Sequence, residues 1–372
     1  MPRPEPAAAP PGGAIPSLDG IRAVAVGLVF FAHAGLGNLV PGGLGVTVFF
    51  VLSGFLITTL LRQEFDRCGG ISLRNFYLRR CLRLMPPLLV VTALAGLLAG
   101  AGLVAGRFSV QGLLSMLFYF GNYHVIFHDF QGLPAGAGVV WSLAVEEHFY
   151  LLYPPLALWL LRRGQPRLSG LVLGAACALV LARRAWLATH GGSEDYIGMA
   201  TDTRIDAILV GCLLGLLQNP WLDRGPALSG RGESLLPALC GGLLLASLLC
   251  RDEHFRLTAR YTVQSLAIAP LIWLAVRRSA GRGWRWLNAP AAVYLGQVSY
   301  AVYLSHHLLL ELVRGLYPRL GSATTLLLAA ALTLLFAEAL RRWVERPLLR
   351  LRKNLRRTPA AEAATPGLTS PA

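Results

Sequence analysis

Long apolar runs recur along the chain, and most of the charged residues fall in the short segments between them. A helix of about 20 apolar residues crosses the hydrocarbon core of a bilayer. The pattern therefore predicts an all-α polytopic membrane protein with about ten transmembrane helices. The predicted spans are residues 21–38, 44–61, 84–105, 142–161, 168–188, 204–218, 235–250, 261–277, 292–313 and 321–340.

Two polar tails and one shorter apolar stretch complete the predicted organisation. Residues 1–16 are rich in Pro, Ala and Gly and are expected to be disordered. Residues 17–348 form the predicted membrane domain, and residues 349–372 a basic and then disordered cytoplasmic tail. The apolar stretch at 110–123 is too short for a span, so we expect it to be re-entrant or interfacial.

The basic residues are distributed unequally between alternate segments. With the N-terminus inside, the inner segments hold 25 of the 34 Arg and Lys residues and the outer segments hold 9. Cytoplasmic segments of membrane proteins carry the excess of Arg and Lys. We therefore predict ten spans with both termini in the cytoplasm.

The composition favours a membrane protein over a soluble or nucleic-acid-binding one. The chain is 55% hydrophobic and 14% charged, with a mean hydropathy of +0.54. The net charge of +15 follows from basic segments that face lipid headgroups, so nucleic acid is not an expected partner. The six cysteines have no metal-ligand spacing, and we expect neither disulfides nor a metal site.

Titratable side chains inside predicted spans are the first candidates for function, because burying them in a membrane is costly. Arg22 and His33 are eleven positions apart, so they share a helix face at a separation of about 16 Å. His33 and Glu146 are predicted at a similar depth near the outer surface, on different helices. An imidazole and a carboxylate placed together can perform acid–base chemistry.

Arginines cluster at the predicted cytoplasmic end of the third span. Arg80 and Arg83 are three positions apart and share a helix face, and Arg22 lies on the same side of the membrane. A guanidinium group can bind two phosphate oxygens at once, so these arginines could bind a phosphate group. Anchoring of the helix at the membrane surface is the alternative role. A cationic patch inside and an acid–base pair outside would suit an anionic donor with a long arm.

Several motifs occur in an order that resembles the acyltransferase-3 family of integral membrane O-acyltransferases. The resemblance covers roughly residues 17–348, and the order of the motifs makes it specific. The motifs are LDGIRAVAVGLVFFAH, GVTVFFVLSGFLIT, FYLRRCLRLMPP, WSLAVEEHFYLLYP, TDTRIDAILVGCLLG, LGQVSYAVYLSHH and VERP.

The resemblance implies a ten-helix protein of the cell inner membrane and a donor, acyl-CoA, on the cytoplasmic side. Acetyl-CoA is the expected donor, and the acceptor is a hydroxyl of a glycan or glycolipid, such as a cell-envelope polysaccharide or lipopolysaccharide. No cofactor is implied. The C-terminal SGNH hydrolase-like domain of many members is not expected.

The resemblance also assigns expected roles to single residues. His33 is the expected general base, Glu146 orients or polarises it, and Arg22, Arg80 and Arg83 hold the donor. Ser53 is expected to form hydrogen bonds, because no nucleophile-elbow sequence surrounds it. The other expected substrate-binding residues are Trp141, Ser142, Arg204, Asp206, Tyr300, Tyr303 and His306.

Two alternative functions stay open at this stage. Charged groups within ten spans would also suit a proton-coupled transporter, which would move solute and release no thiol. Alternatively, the acceptor is a secreted small metabolite such as a macrolide sugar. The residues that depart from the frequent family pattern bear mainly on the acceptor; they are Thr47, His148, Ser305 and Leu308.

Overall fold

The computed structural model describes residues 15–223 and 230–355, and in this part of the chain every regular element is a helix. The long helices pack into one bundle around a continuous core of buried apolar side chains. The predicted all-α class is confirmed for these residues. The predictions for residues 1–14 and 356–372 lie outside the described part.

Seventeen α-helices and four shorter helical turns make up the described chain. The turns are a π-helical turn at Ala32–Leu36, 3₁₀ turns at Ala137–Val140 and Arg285–Asn288, and a second π-helical turn at Arg341–Glu345. The α-helices are α1 Leu18–Phe31, α2 Gly42–Cys68, α3 Leu73–Gly100, α4 Val110–Leu117, α5 Gly121–His128, α6 Trp141–Arg163, α7 Pro166–Thr189, α8 Glu194–Met199, α9 Thr201–Arg204, α10 Asp206–Leu217, α11 Gly230–Leu249, α12 Glu253–Leu257, α13 Arg260–Arg277, α14 Pro290–Gln297, α15 Ser299–Leu316, α16 Ser322–Leu340 and α17 Arg346–Asn354.

Each predicted span overlaps an observed helix or a pair of helices. The span predicted at 292–313 is divided at Val298 into α14 and α15, and the stretch at 110–123 forms the short helices α4 and the start of α5. By length and composition, five helices could cross a membrane in the described chain. They are Leu18–Leu36, Gly42–Cys68, Leu73–Gly100, Pro166–Thr189 and Ser322–Leu349. The full set of ten crossings and the location of the termini therefore stay predictions.

Local sequence explains where several helices begin and end. The Ser72 hydroxyl accepts a hydrogen bond from the backbone N–H of Asn75 and caps the start of α3. Gly69 ends α2 in the left-handed conformation at φ 67°. Proline pairs lie inside α3 and α6, as membrane helices tolerate, since neighbouring polar groups can satisfy the freed carbonyls.

The centre of the bundle depends on close approach between α2 and α10. A Cβ atom at Gly54 would lie 1.9 Å from the backbone oxygen of Ile208, and one at Gly211 would lie 2.0 Å from that of Val51. Only glycine permits this backbone contact, which is the small-residue packing found between membrane helices. The contact fixes α2, which borders both cavities described below.

The start of α6 lies deeper in the bundle than the sequence suggests. Ala137, Val139 and Val140 precede the helix and are buried, with relative exposures of 5–6%. Residues 101–140, including α4 and α5, pack over this end of the bundle. Folded chain therefore covers the first turn of α6.

Candidate active site

Two cavities lie within the bundle and meet at Val46 and Tyr303, which line both. We call the first the Glu146 cavity; its volume is about 80 Å³, and Arg22, Arg80 and Arg83 also border it. We call the second the His33 cavity, with a volume of about 720 Å³. Arg22 and His33, from opposite ends of the first predicted span, therefore border different cavities.

The lining residues recur every three or four positions along the helices that both cavities share. On α15, Ser299 and Tyr300 border the Glu146 cavity, Tyr303 borders both, and His307 borders the His33 cavity. A spacing of three or four places residues on one face of a helix. The two cavities are thus successive parts of one line through the bundle, with Tyr303 at the boundary.

The Glu146 carboxylate is held by two hydroxyl groups. Ser53 Oγ donates to Glu146 Oε1 at 2.7 Å, and Tyr150 OH lies 3.4 Å from Glu146 Oε2. Tyr150 OH also lies 3.3 Å from Ser53 Oγ. Ser53 therefore has the hydrogen-bonding contact expected of it, and its hydroxyl hydrogen is directed at the carboxylate.

Three arginines from two helices give this cavity its positive charge. Arg22 of α1 forms an ion pair with Asp19 at 2.9 Å and lies close enough to Arg83 for electrostatic repulsion. Arg83 and Arg22 both attract the Glu146 carboxylate. Arg80 lies over the ring of Tyr150, 5.3 Å from its centroid. The structure thus brings the three predicted arginines together around a cavity in which cationic groups outnumber carboxylates.

The predicted contact between His33 and Glu146 is wrong. Glu146 borders the cavity of the three arginines, whereas His33 borders the other cavity. Glu146 lies instead among Ser53, Tyr150, Arg22 and Arg83, whereas His33 lies against His306 and His307. Tyr303 and Val46 line both cavities and lie between the two side chains.

His33 lies at the π-helical end of α1, with its imidazole against α15. Its Nδ1 is 3.0 Å from the backbone oxygen of Val29 and 3.1 Å from His306 Nε2. Its ring stacks on His307, with centroids 4.6 Å apart. Gly35 permits the sharp turn that follows, because its φ is 101°.

These contacts define which ring nitrogen of His33 is available. His306 Nδ1 is 2.8 Å from the backbone oxygen of Tyr303, which only accepts hydrogen bonds, so Nδ1 of neutral His306 carries the proton. His306 Nε2 is then an acceptor for the Nδ1–H of His33. The Val29 carbonyl favours the same tautomer. Nε2 of neutral His33 therefore carries a lone pair, as a general base requires.

His306 does not line a substrate route, contrary to its expected role. Its side chain is 1% exposed and contacts His33 from behind. The neighbouring His307 borders the His33 cavity instead. The sequence contained a signal for His307, since Tyr303 and His307 are four positions apart and share a face of α15.

Four further predicted substrate-binding residues lie near the boundary between the cavities: Trp141, Ser142, Tyr300 and Tyr303. Tyr303 OH is 3.1 Å from the Val139 backbone oxygen, to which it donates, so it accepts from Ser142 Oγ at 2.6 Å. Trp141 borders the His33 cavity and Ser142 the Glu146 cavity. Tyr300 borders the Glu146 cavity, and its hydroxyl donates to the Leu84 backbone oxygen at 2.8 Å. Each of these residues therefore borders at least one of the two cavities, and their contact with substrate stays a prediction.

Arg204 and Asp206 have different surroundings although they come from one motif. Arg204 is 2% exposed and borders the His33 cavity. Asp206 is fully buried in an ion pair with Arg184, at 2.7 Å and 2.9 Å, and lines neither cavity. The expected substrate contact of Asp206 is therefore wrong, because Arg184 of α7 and Thr262 of α13 occupy its oxygens.

Sequence reasoning missed Tyr150, Arg260, Tyr261 and His307 as cavity residues. Tyr150 could have been found, because it is four positions after Glu146 on the same helix face. Arg260 and Tyr261 have no such signal, because α13 is far in sequence from the predicted site residues and meets them only through tertiary packing. In the described residues, no group of three or more His, Cys, Asp or Glu side chains could hold a metal.

The fold and these cavities describe a helical membrane protein with an internal, charged site. The chain matches the acyltransferase-3 family, described as an acyltransferase domain, over residues 15–342, and it belongs to that family.

Relatives in Staphylococcus aureus carry O-acetyltransferase names. The O-acetyltransferase OatA of strain NCTC 8325 is 30% identical over 351 residues, which cover 90% of this chain and 57% of that protein. A protein of strain COL, provisionally named an O-acetyltransferase, is 29% identical over 358 residues with the same coverage. The chain thus spans just over half the length of these relatives. No solved structure matches the chain.

Proposed function

We propose that the protein is a membrane O-acyltransferase that transfers an acyl group, most simply acetyl, from acyl-CoA to a sugar hydroxyl. The observation that carries this proposal is the pair of cavities with different chemistry that meet at Tyr303. One contains arginines that suit an anionic donor, and the other contains an imidazole with an available nitrogen. The family and the names of the relatives support acyl transfer.

The donor binds from the predicted cytoplasmic side, at the Glu146 cavity. Arg22 lies in the second turn of α1, and Arg80 and Arg83 lie about two and three turns into α3; their guanidinium groups can bind coenzyme A phosphates. The narrow cavity then leads along Ser53 and Tyr300 towards Tyr303. At about 80 Å³ this cavity would have to widen to admit a pantetheine arm, which would then bring the thioester to the boundary between the cavities.

The acceptor hydroxyl binds in the His33 cavity. His33 Nε2 takes the hydroxyl proton while the oxygen attacks the thioester carbonyl carbon, and the bond between that carbon and sulfur breaks. The products are an ester and coenzyme A, whose thiolate receives the proton from His33. General-base catalysis of this kind contributes about 10²–10⁴-fold in rate.

The acceptor is a hydroxyl of a glycan or glycolipid, and the enzyme lies in the cell inner membrane. A cavity of about 720 Å³ has room for a sugar unit. Its walls include residues 133–136 and Gly138 from the segment that covers the predicted outer end of the bundle. This location supports modification of an exported or envelope glycan.

The proposal is tested by coenzyme A release from the purified full chain, with acetyl-CoA and a crude envelope glycan. The parent should release thiol with acceptor, and His33→Ala should lose at least about 100-fold of that activity. His190→Ala is the matched control, because His190 is exposed and outside both cavities. Solute flux without thiol release would instead establish the transporter, and transfer only to a small secreted sugar would identify the metabolite enzyme.

A further inference from the structure

The His33 cavity contains more positive charge than the proposed reaction requires. Two arginines, Arg204 and Arg260, border it together with His33 and His307. Among the described residues that line it, none is Asp or Glu. A large internal cavity with this lining attracts an anion.

Arg204 is the buried source of this charge. Its guanidinium is packed among aromatic rings, 3.8 Å from the Tyr261 centroid and 5.6 Å from that of Trp141. Nη1 donates to the Gly198 backbone oxygen at 2.7 Å, but Nη2 has only a long 3.4 Å contact with the Thr47 hydroxyl. Nε is buried and has no hydrogen-bond partner among the described residues.

The carboxylate of Asp206 does not fully neutralise Arg204. Asp206 attracts it but is engaged on both oxygens by the buried Arg184. The group of Arg184, Asp206 and Arg204 therefore retains one positive charge. A buried charge without its own partner is costly, and bound anions commonly provide that partner.

Arg260 places a second guanidinium on the same wall. It lies over Tyr261, 5.2 Å from the ring centroid. Tyr261 thus contacts both arginines and fixes their relative positions. Gln264, one turn further along α13, adds a neutral amide to the lining.

We propose that Arg204 and Arg260 form a subsite for an anionic group of the acceptor, a carboxylate or a phosphate carried by the sugar that is acylated. The acceptor role rests on the proposed function, while anion binding in this cavity does not. Binding of the anion at the Arg204 wall would hold the sugar in the cavity that His33 borders, so that one of its hydroxyls reaches Nε2. The enzyme would accordingly select charged over neutral sugars.

The test measures binding to the purified full chain by calorimetry in the absence of donor. Three probes are compared: methyl glucuronide, methyl glucoside 6-phosphate and neutral methyl glucoside. We expect one of the charged sugars to bind about 10- to 100-fold more tightly than the neutral one, the range typical of charge-assisted contacts. The stronger of the two identifies the group as carboxylate or phosphate. Equal affinity for all three probes would overturn the proposal.

Variants then locate the binding site. Arg260→Gln should weaken the binding of the charged sugar about tenfold or more and leave the affinity for the neutral sugar unchanged. Arg256→Gln is the matched control, because Arg256 is exposed on the neighbouring helix and lines neither cavity. Arg204→Lys keeps the buried charge and should weaken binding through loss of the planar fork, so it tests Arg204 even if Arg204→Gln fails to fold. Unchanged affinity in both Arg260→Gln and a folded Arg204→Lys contradicts the proposal.

Competition separates this subsite from the donor site. Coenzyme A also carries phosphates, so it is titrated against the protein saturated with the charged sugar. Simultaneous binding is expected, and displacement that Arg260→Gln abolishes would show that the cavity holds the donor instead. Charged-sugar binding without any thiol release would refute the proposed transferase and leave the anion subsite intact. Thiol release together with equal binding of charged and neutral sugars would support the transferase and refute the anion subsite.

Discussion

At the scale of single residues, the chemistry of His33 depends on the contacts that fix its ring. His306 and Val29 both favour a proton on Nδ1, and Arg314 donates to the His33 backbone oxygen at 3.2 Å. His307 covers one face of the ring. His306 is therefore a positioning residue: it determines the tautomer of the base without reaching the cavity itself.

Replacement of His306 should affect turnover more than acceptor binding. His306→Phe keeps a ring of similar shape but removes one of the two acceptors for His33 Nδ1–H and leaves only the Val29 carbonyl, so we expect kcat to fall about tenfold, with little change in the acceptor KM. His306→Gln can still accept through its amide oxygen and should recover a large part of kcat. Steady-state kinetics on purified variants with matched thermal stability provide the measurement. Equal loss in both variants would indicate a packing role alone.

Residue identity was only partly accessible from the sequence. The motifs identified Arg22, Arg80 and Arg83 as a group, and the structure places all three around one cavity. The same motifs did not distinguish Arg204, which borders a cavity, from Asp206, which is engaged by Arg184. The partner of Asp206 lies 22 positions away on another helix, and its contact depends on packing that no local spacing reveals.

At the scale of elements, α3 presents two arginines to the Glu146 cavity within one helical turn. Arg80 and Arg83 line the Glu146 cavity from the same helix face, whereas Arg79 instead pairs with Glu64 at 2.9 Å. The arginines of α3 thus point in different directions. Arg79 links α3 to α2 through its ion pair with Glu64, whereas Arg80 and Arg83 face the cavity.

Arg83→Lys should raise the KM for acyl-CoA and leave the acceptor KM nearly unchanged. Lysine keeps the charge but cannot bind two oxygens in one plane, and Arg83→Ala should raise this KM further, by about 10- to 100-fold. Arg74→Ala on the same helix is the control, since Arg74 is exposed and lines neither cavity. Initial-rate kinetics with each substrate varied in turn provide the measurement. If both Arg83 variants behave like the parent, this arginine anchors the helix and another group binds the donor.

At the scale of the whole molecule, hydropathy located the helices but not their depth. Every predicted span overlaps a helix, because apolar runs and turn residues are local signals. The sequence could not show that residues 101–140 cover the start of α6, or that Glu146 and His33 border different cavities. The burial of a helix's first turn depends on tertiary packing, which the hydropathy of a single segment does not reveal.

The orientation of the bundle in the membrane remains a prediction, and it decides from which side each cavity is reached. The unequal distribution of Arg and Lys places the arginines of α1 and α3 in the cytoplasm and the covering segment 101–140 outside. A reporter fused after Arg357 should therefore read cytoplasmic, and one inserted near Asp129 should read external. Paired reporters that are active on opposite sides of the membrane provide the measurement, and an insertion beside Gly164, predicted inside, is the internal control. Because the Glu146 cavity and the His33 cavity lie in line through the bundle, reversed signals would place the arginines outside, where cytoplasmic acyl-CoA could not bind them.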